Sequence, residues 1–191
     1  MRIICDVDCV LNDLIFKMLN LYNARAGKNI QVDDITAYEF DKCLPQNDAN
    51  ALTSMFKEKY LWDSLEPMPY SQIALKKILQ SGHDIYLATS TDPVNFEWKC
   101  NWISEYYPFI DQSNIIRINN KGLLNGDVII DDCYDQLIRC MYSRIVFDYP
   151  WNRSEELDYV YDVRRASNWN DIINILNNIE EEEQKWKMDN T

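Results

Sequence analysis

Two aspartates one residue apart, Asp6 and Asp8, close a short apolar run in Ile3-Ile4-Cys5-Asp6-Val7-Asp8-Cys9, at the start of the chain. Alternate side chains of a strand point the same way, so both carboxylates converge if the extended conformation persists to Asp8. Carboxylates forced together repel, and they need a cation, a shared proton or a substrate to settle them. Two further apolar runs end in polar clusters: Ile85-Tyr86-Leu87-Ala88 in Thr89-Ser90-Thr91, and Val128-Ile129-Ile130 in Asp131-Asp132. Lys121 lies ten residues before that acidic pair. Each cluster alone reads as an ordinary turn or helix cap. Together they supply a hard-metal site, hydroxyl donors and a cation, which suits a phosphoryl group.

The elements that must position these residues alternate between strand-like and helical patterns. Ile3 to Val7 reads as a strand, and Leu11, Leu14, Ile15, Met18, Leu19 and Tyr22 repeat at helical spacing up to Gly27. A helix is expected from about Asp48 to Tyr60, and another with Ile73, Ile78 and Leu79 inward, stopping near Gly82. After the strand 85–88, Asp92-Pro93 reads as a cap with proline in the first turn, and Phe96, Cys100, Ile103 and Tyr107 mark a helical face. Ile115 to Ile118, Val128 to Ile130 and Ile145 to Phe147 read as strands. Leu137, Ile138 and Met141 suit a buried helix face, and Trp169, Ile172, Ile173, Leu176 and Ile179 form a last amphipathic helix. This alternation predicts an α/β fold, a Rossmann-like parallel sheet with helices on both faces. In such sheets ligands bind beyond the carboxyl ends of the strands, where all three polar clusters fall.

Composition narrows the partners. The 191 residues carry a net charge of −12, partly in Glu180-Glu181-Glu182-Glu183. Nucleic-acid polymers are poor ligands for so acidic a chain, because their binding depends on Lys and Arg neutralising phosphates. A small phosphate ester is compatible, since a bound metal inverts the charge of a pocket locally. No stretch approaches the roughly 20 apolar residues that span a bilayer, so no membrane partner is expected. The start lacks a basic region followed by an apolar run, so a cytoplasmic location is expected. The six cysteines show no CxxC pair and read as reduced thiols. The lone histidine, His83, follows Gly82 and reads as a helix-terminal or surface residue.

Asp-x-Asp after the first strand, Thr after a middle strand, a Lys, and Asp-Asp after a later strand resemble, in that order, the four motifs of the haloacid dehalogenase-like (HAD-like) phosphohydrolases. More narrowly, Asp6-Val7-Asp8-Cys9-Val10-Leu11-Asn12-Asp13, Leu87-Ala88-Thr89-Ser90 and the short Lys-to-Asp-Asp spacing resemble the 5′(3′)-deoxyribonucleotidases, the cytosolic type C 5′-nucleotidases. The likeness runs through most of the chain and is weakest between residues 28 and 69 and in the tail.

The resemblance implies roles. Asp6 attacks phosphorus and forms an aspartyl-phosphate. Asp8 protonates the leaving alkoxide and then activates water. Mg²⁺ is the implied cofactor, held by Asp6, the backbone carbonyl of Asp8 and Asp132, with Asp131 orienting a metal-bound water or standing just outside. Thr89, Ser90 and Lys121 bind phosphate. Family members usually carry Gly where this chain has Cys9, so Cys9 is expected to shift the turn or narrow the pocket. A nucleophilic Cys9 is disfavoured, since no Arg-rich phosphate loop or His partner is at hand to activate it.

The implied organisation is a HAD-like core of residues 1–13 and 70–179, a small helical cap of residues 14–69 inserted after the first strand, and an acidic tail of residues 180–191. Tyr38, Phe40, Phe56, Tyr60, Leu61 and Trp62 lie in the cap, where packing accounts for most of them. Phe40 and Trp62 are the first candidates to stack on a base, and Leu14 is a further candidate for the substrate pocket. The loop 148–153 suits a pocket rim or a plain turn, while Arg164 and Arg165 read as salt-bridge formers.

The leading expectation is a Mg²⁺-dependent phosphohydrolase acting on (deoxy)nucleoside monophosphates. A phosphatase for a sugar phosphate or other small ester shares the same catalytic set, and a non-catalytic nucleotide-binding module shares the fold. Oligomeric state is open between monomer and homodimer.

Overall fold

The computed structural model describes residues 1–153 and 155–190. Its six strands are β1 (Arg2–Cys5), β2 (Asp84–Thr89), β3 (Ile115–Arg117), β4 (Val128–Asp131), β5 (Ser143–Phe147) and β6 (Val163–Ala166). All pair in parallel, in the spatial order β3-β2-β1-β4-β5-β6. β1 and β4 lie side by side at the centre, where the strand order reverses, and a doubly wound sheet opens its ligand crevice at that point.

Helices cover both faces, as the alternating strands predict. One layer packs Ile3, Cys5, Ile85, Leu87, Val128 and Ile130 against α4 (Ser71–Gln80), α5 (Pro93–Tyr106) and α8 (Trp169–Asp189). The opposite side chains of the same strands, Ile4, Ala88 and Ile129, join Leu137 and Cys140 around the short α6 (Tyr134–Leu137). A parallel strand buried on both sides must be apolar at every position, and this explains the unbroken apolar runs.

Between β1 and β2 the chain leaves the sheet for α1 (Leu14–Ala26), α2 (Gln46–Met55) and α3 (Lys59–Asp63). Gly27 ends α1 in the left-handed region, φ 64°, and its N–H caps the Asn23 carbonyl. The departing and returning strands of this insertion are stitched together. Asp13 N–H donates to the Glu66 carbonyl at 3.0 Å, and Met68 N–H to the Leu11 carbonyl at 2.7 Å. The Asp13 side chain also accepts from Glu66 N–H at 2.7 Å.

Several sequence-based boundaries shift. β1 stops at Cys5 rather than Val7, because the chain turns at Asp8. Leu11 precedes α1 and is buried in that turn. The single helix expected from Asp48 to Tyr60 is two, α2 and α3, broken at Phe56–Glu58. In α4 the buried stripe is Ala74, Leu75 and Ile78, and Ile73 faces solvent. In α5 it is Asn95, Lys99, Trp102 and Ile103, with Phe96 and Cys100 only half-buried. α6 is a single turn, so Met141 lies beyond it and is exposed.

β6 and α7 (Glu155–Tyr161) were not expected at all. α8 runs straight through the acidic stretch to Asp189, so residues 180–189 continue a helix; Thr191 lies outside the described residues. All six cysteines are free thiols. Among the described residues no helix is long and apolar enough to cross a membrane.

Candidate active site

Parallel register brings the acidic strand ends together. Cys5 pairs with Ile130, and Asp6 N–H donates to the Ile130 carbonyl at 2.9 Å. Asp6 therefore faces the end of β4, where Asp131 and Asp132 follow. One carboxylate oxygen from each of Asp6, Asp131 and Asp132 falls within 4.8 Å of the others. Lys121 reaches into this cluster from the turn before β4. Its ammonium bonds Asp6 and, at 2.6 Å, Asp131, whose other oxygen accepts from Cys133 N–H at 3.0 Å.

Asp8 belongs to the same site but not by strand alternation, since it sits in the turn after Val7. Asn12 directs it: its side-chain oxygen accepts the N–H groups of Cys9 and Leu14, at 3.1 and 3.3 Å, and its amide donates to one Asp8 oxygen at 3.0 Å. The other Asp8 oxygen is bonded by Lys99 from the buried stripe of α5. Lys99 also donates to the Thr89 hydroxyl at 2.7 Å. Cys9 itself has φ 59°, the left-handed region that favours glycine. Cys9 thus keeps a conformation that favours glycine while carrying a side chain.

Electrostatics follow from this crowding. Burial pushes the Asp6 carboxyl up to about 7, with Lys121 opposing and Asp131 and Asp8 adding to the rise. Burial raises Asp132 well above the usual carboxylate range, and Asp131 and Asp6 raise it further. For Lys121, burial pulls down but the attraction of Asp131 and Asp6 wins, so its ammonium is held charged.

The donor set fits a hard divalent cation. Asp131 is already engaged at both oxygens, whereas the carboxylate of buried Asp132 has no hydrogen bond or ion pair among the described residues. With all four carboxyls ionised, Asp6, Asp8, Asp131 and Asp132 against the ammonium groups of Lys99 and Lys121 leave two negative charges, the amount one divalent ion neutralises.

Above the carboxylates lies a cavity of about 750 Å³. Asp6, Asp8, Thr89, Ser90, Lys121, Asp131 and Asp132 line it together with Leu14, Phe40 and Trp62, so all ten candidate site residues from the sequence border one space. Phe56 links the two aromatics, with ring centroids 6.5 Å from Phe40 and 6.4 Å from Trp62. Trp62 is buried and donates its indole N–H to the Phe56 carbonyl at 3.0 Å. Ser90 is more exposed and bonds Asn119 at 3.2 Å.

Four supporting residues were assigned no role from the sequence, although Tyr149 and Asn152 lie in the loop 148–153 read as a rim or a turn. Lys99 and Asn12 hold Asp8. Asn152 donates to the carbonyls of Asp132 and Phe147, both at 2.8 Å, and Tyr149 donates to the carbonyl of Cys9. Arg165, read as a salt-bridge former, pairs with Asp148 and Asp158 and also donates to the Asn152 side chain at 2.8 Å.

A family model decides the relationship. Residues 1–181 match the family described as 5′ nucleotidase, deoxy (Pyrimidine), cytosolic type C protein. The chain belongs to this family. It is a phosphoric monoester hydrolase of HAD-like fold. Among named relatives, the 5′(3′)-deoxyribonucleotidase of Clostridium acetobutylicum is 31% identical, over 78% of this chain and 83% of its own. That of Bacillus subtilis is 28% identical, over 87% of this chain and 93% of its own. Of solved structures, a haloacid dehalogenase-like family hydrolase from Streptococcus pneumoniae superimposes with a TM-score of 0.61 at 14% identity. The superposition covers 92% of this chain and 97% of the other, a likeness of fold.

Proposed function

We propose that this nucleotidase-family member removes phosphate from deoxynucleoside monophosphates with Asp6 as nucleophile and Mg²⁺ as cofactor. The observation that carries the reading is the convergence of Asp6, Asp8, Thr89, Lys121 and Asp132 beneath an aromatic-walled cavity large enough for a nucleotide. The deoxyribonucleotidase names of its relatives support the substrate class.

Asp6, the backbone carbonyl of Asp8 and Asp132 would hold Mg²⁺, with Asp131 tied back by Lys121. When bound, the ion supplies Lewis-acid stabilisation of charge on the phosphate oxygens. An Asp6 oxygen attacks phosphorus, and the bond from phosphorus to the sugar oxygen breaks as Asp8 gives that oxygen a proton. Lys121 and the Thr89 and Ser90 hydroxyls hold the phosphoryl oxygens as charge shifts among them. Water then attacks the aspartyl-phosphate, Asp8 recovers a proton, and inorganic phosphate leaves. Phe40, Trp62 and Leu14 offer the nucleoside an apolar wall that excludes bulk water.

A hydrolysis panel of deoxynucleotides, ribonucleotides and sugar phosphates with Mg²⁺ tests this. Deoxynucleoside monophosphates should turn over fastest, and Asp6→Asn should abolish turnover while leaving the fold intact. Faster turnover of sugar phosphates, or near-normal activity of Asp6→Asn, rejects the reading.

A further inference from the structure

Lys99 is out of place for a structural lysine. It is 2% exposed, in the middle of α5, on a stripe with Asn95, Trp102 and Ile103. Taking an ammonium out of water costs several kcal/mol unless partners replace the solvent. The partners here all belong to the site: one oxygen of Asp8, the hydroxyl of Thr89 at 2.7 Å, and the face of Trp62, whose ring centroid lies 5.1 Å from the nitrogen. Lys121 already serves Asp6 and Asp131, so the second cation is dedicated to the other aspartate.

What Lys99 does to each partner follows from donor and acceptor roles. Lysine can only donate. The Thr89 oxygen therefore accepts from it, which leaves the threonine's own proton free to donate toward a phosphate oxygen. At Asp8, Lys99 fixes one oxygen while Asn12 fixes the other at 3.0 Å, so the carboxyl plane is set at two points. A carboxyl that must hand a proton to a leaving oxygen and later take one from water works only within hydrogen-bond reach of both, and a shift near 1 Å costs about a hundredfold. The ring over Lys99 comes from α3 of the inserted helices, so the cap completes the setting of the proton-handling carboxyl.

We infer that Lys99 is a positioning residue that orients Asp8 for proton transfer to the leaving group. This rests on the phosphohydrolase mechanism proposed above, and it predicts a signature that a packing role lacks. Esters with a poor alkoxide leaving group need the proton from Asp8, whereas p-nitrophenyl phosphate leaves as a stabilised phenolate and does not.

The experiment compares wild type, Lys99→Met and Lys99→Gln with Mg²⁺ on a deoxynucleoside monophosphate and on p-nitrophenyl phosphate. The Lys99→Met variant should lose about a hundredfold in kcat on the nucleotide and less than tenfold on p-nitrophenyl phosphate. Asp8→Asn should show the same imbalance, and adding Lys99→Met to it should not widen the gap. Lys99→Gln, which retains a donor for Thr89, should show the same selective loss, and its activity on p-nitrophenyl phosphate reports an intact site if the Met variant folds poorly. Equal losses on both substrates in both variants, or no loss, overturn the inference. If wild type hydrolyses neither ester, the underlying mechanism fails, and the role of Lys99 with it.

Discussion

The phenol of Tyr149 donates to the carbonyl of Cys9 at 2.7 Å, joining residues 140 apart in sequence. From the other side, Cys9 N–H donates to the Asn12 side chain at 3.1 Å. A left-handed residue with a side chain costs about 1–2 kcal/mol and persists only where its surroundings over-determine it. Here both peptide groups of Cys9 are pinned. Replacing Cys9 by Gly or by Ala removes the same thiol, but only Gly relieves the backbone. Cys9→Gly should therefore be more stable than Cys9→Ala by about 1 kcal/mol in denaturant titrations. Equal midpoints would show that the conformation carries no cost.

Asp132 is the buried carboxylate with no protein partner among the described residues, beside an Asp6 carboxyl pushed up to about 7. A divalent cation that relieves this crowding binds the folded state alone and stabilises it. Mg²⁺ should stabilise the chelator-treated protein by about 2.7 kcal/mol at a hundredfold excess over Kd, read as a rise in melting temperature. In Asp132→Asn that rise should be largely lost. An unchanged melting curve for wild type would remove Asp6 and Asp132 as the ion's ligands.

Outside that cluster, Asp48 on α2 accepts from the Tyr22 hydroxyl at 2.5 Å and from Lys28 at 3.3 Å. The hydrogen bond from Tyr22, helped by Lys28 and opposed by burial, holds its carboxyl below the usual range. A depressed folded-state pKa stabilises above the unfolded value near 3.9, and that contribution vanishes as pH falls through the folded value. Asp48→Asn should be less stable than wild type at pH 7, and the two should converge below about pH 4. A gap that persists unchanged to low pH would assign the pair to neutral hydrogen bonding alone.

Most of the candidate catalytic set was legible because Asp6, Thr89 and the Asp131-Asp132 pair follow apolar runs directly, and a parallel sheet sends all such ends to one edge. Thr89 and Asp132 needed no knowledge of tertiary packing. Lys99 did. A lysine in a helix reads as solvated, and assigning the inner face to Phe96 and Cys100 turned Lys99 outward. The signal was present in Trp102 and Ile103, whose stripe one turn earlier contains Lys99 and Asn95. β6 was hidden because Arg164 and Arg165 occupy its middle, and an edge strand can carry such residues when ion pairs with Glu182, Asp148 and Asp158 satisfy them. The break between α2 and α3 has no glycine or proline to announce it.

The strand that opens the chain occupies the centre of the sheet. During synthesis β1 emerges first, yet its neighbours are residues 84–87 and 128–130, so its edges wait for closure of two long loops. Asp6 acquires its full company only when Asp132 has been made. The acidic cluster therefore cannot assemble until β4 has docked beside β1, and the order of strands makes it a late product of folding.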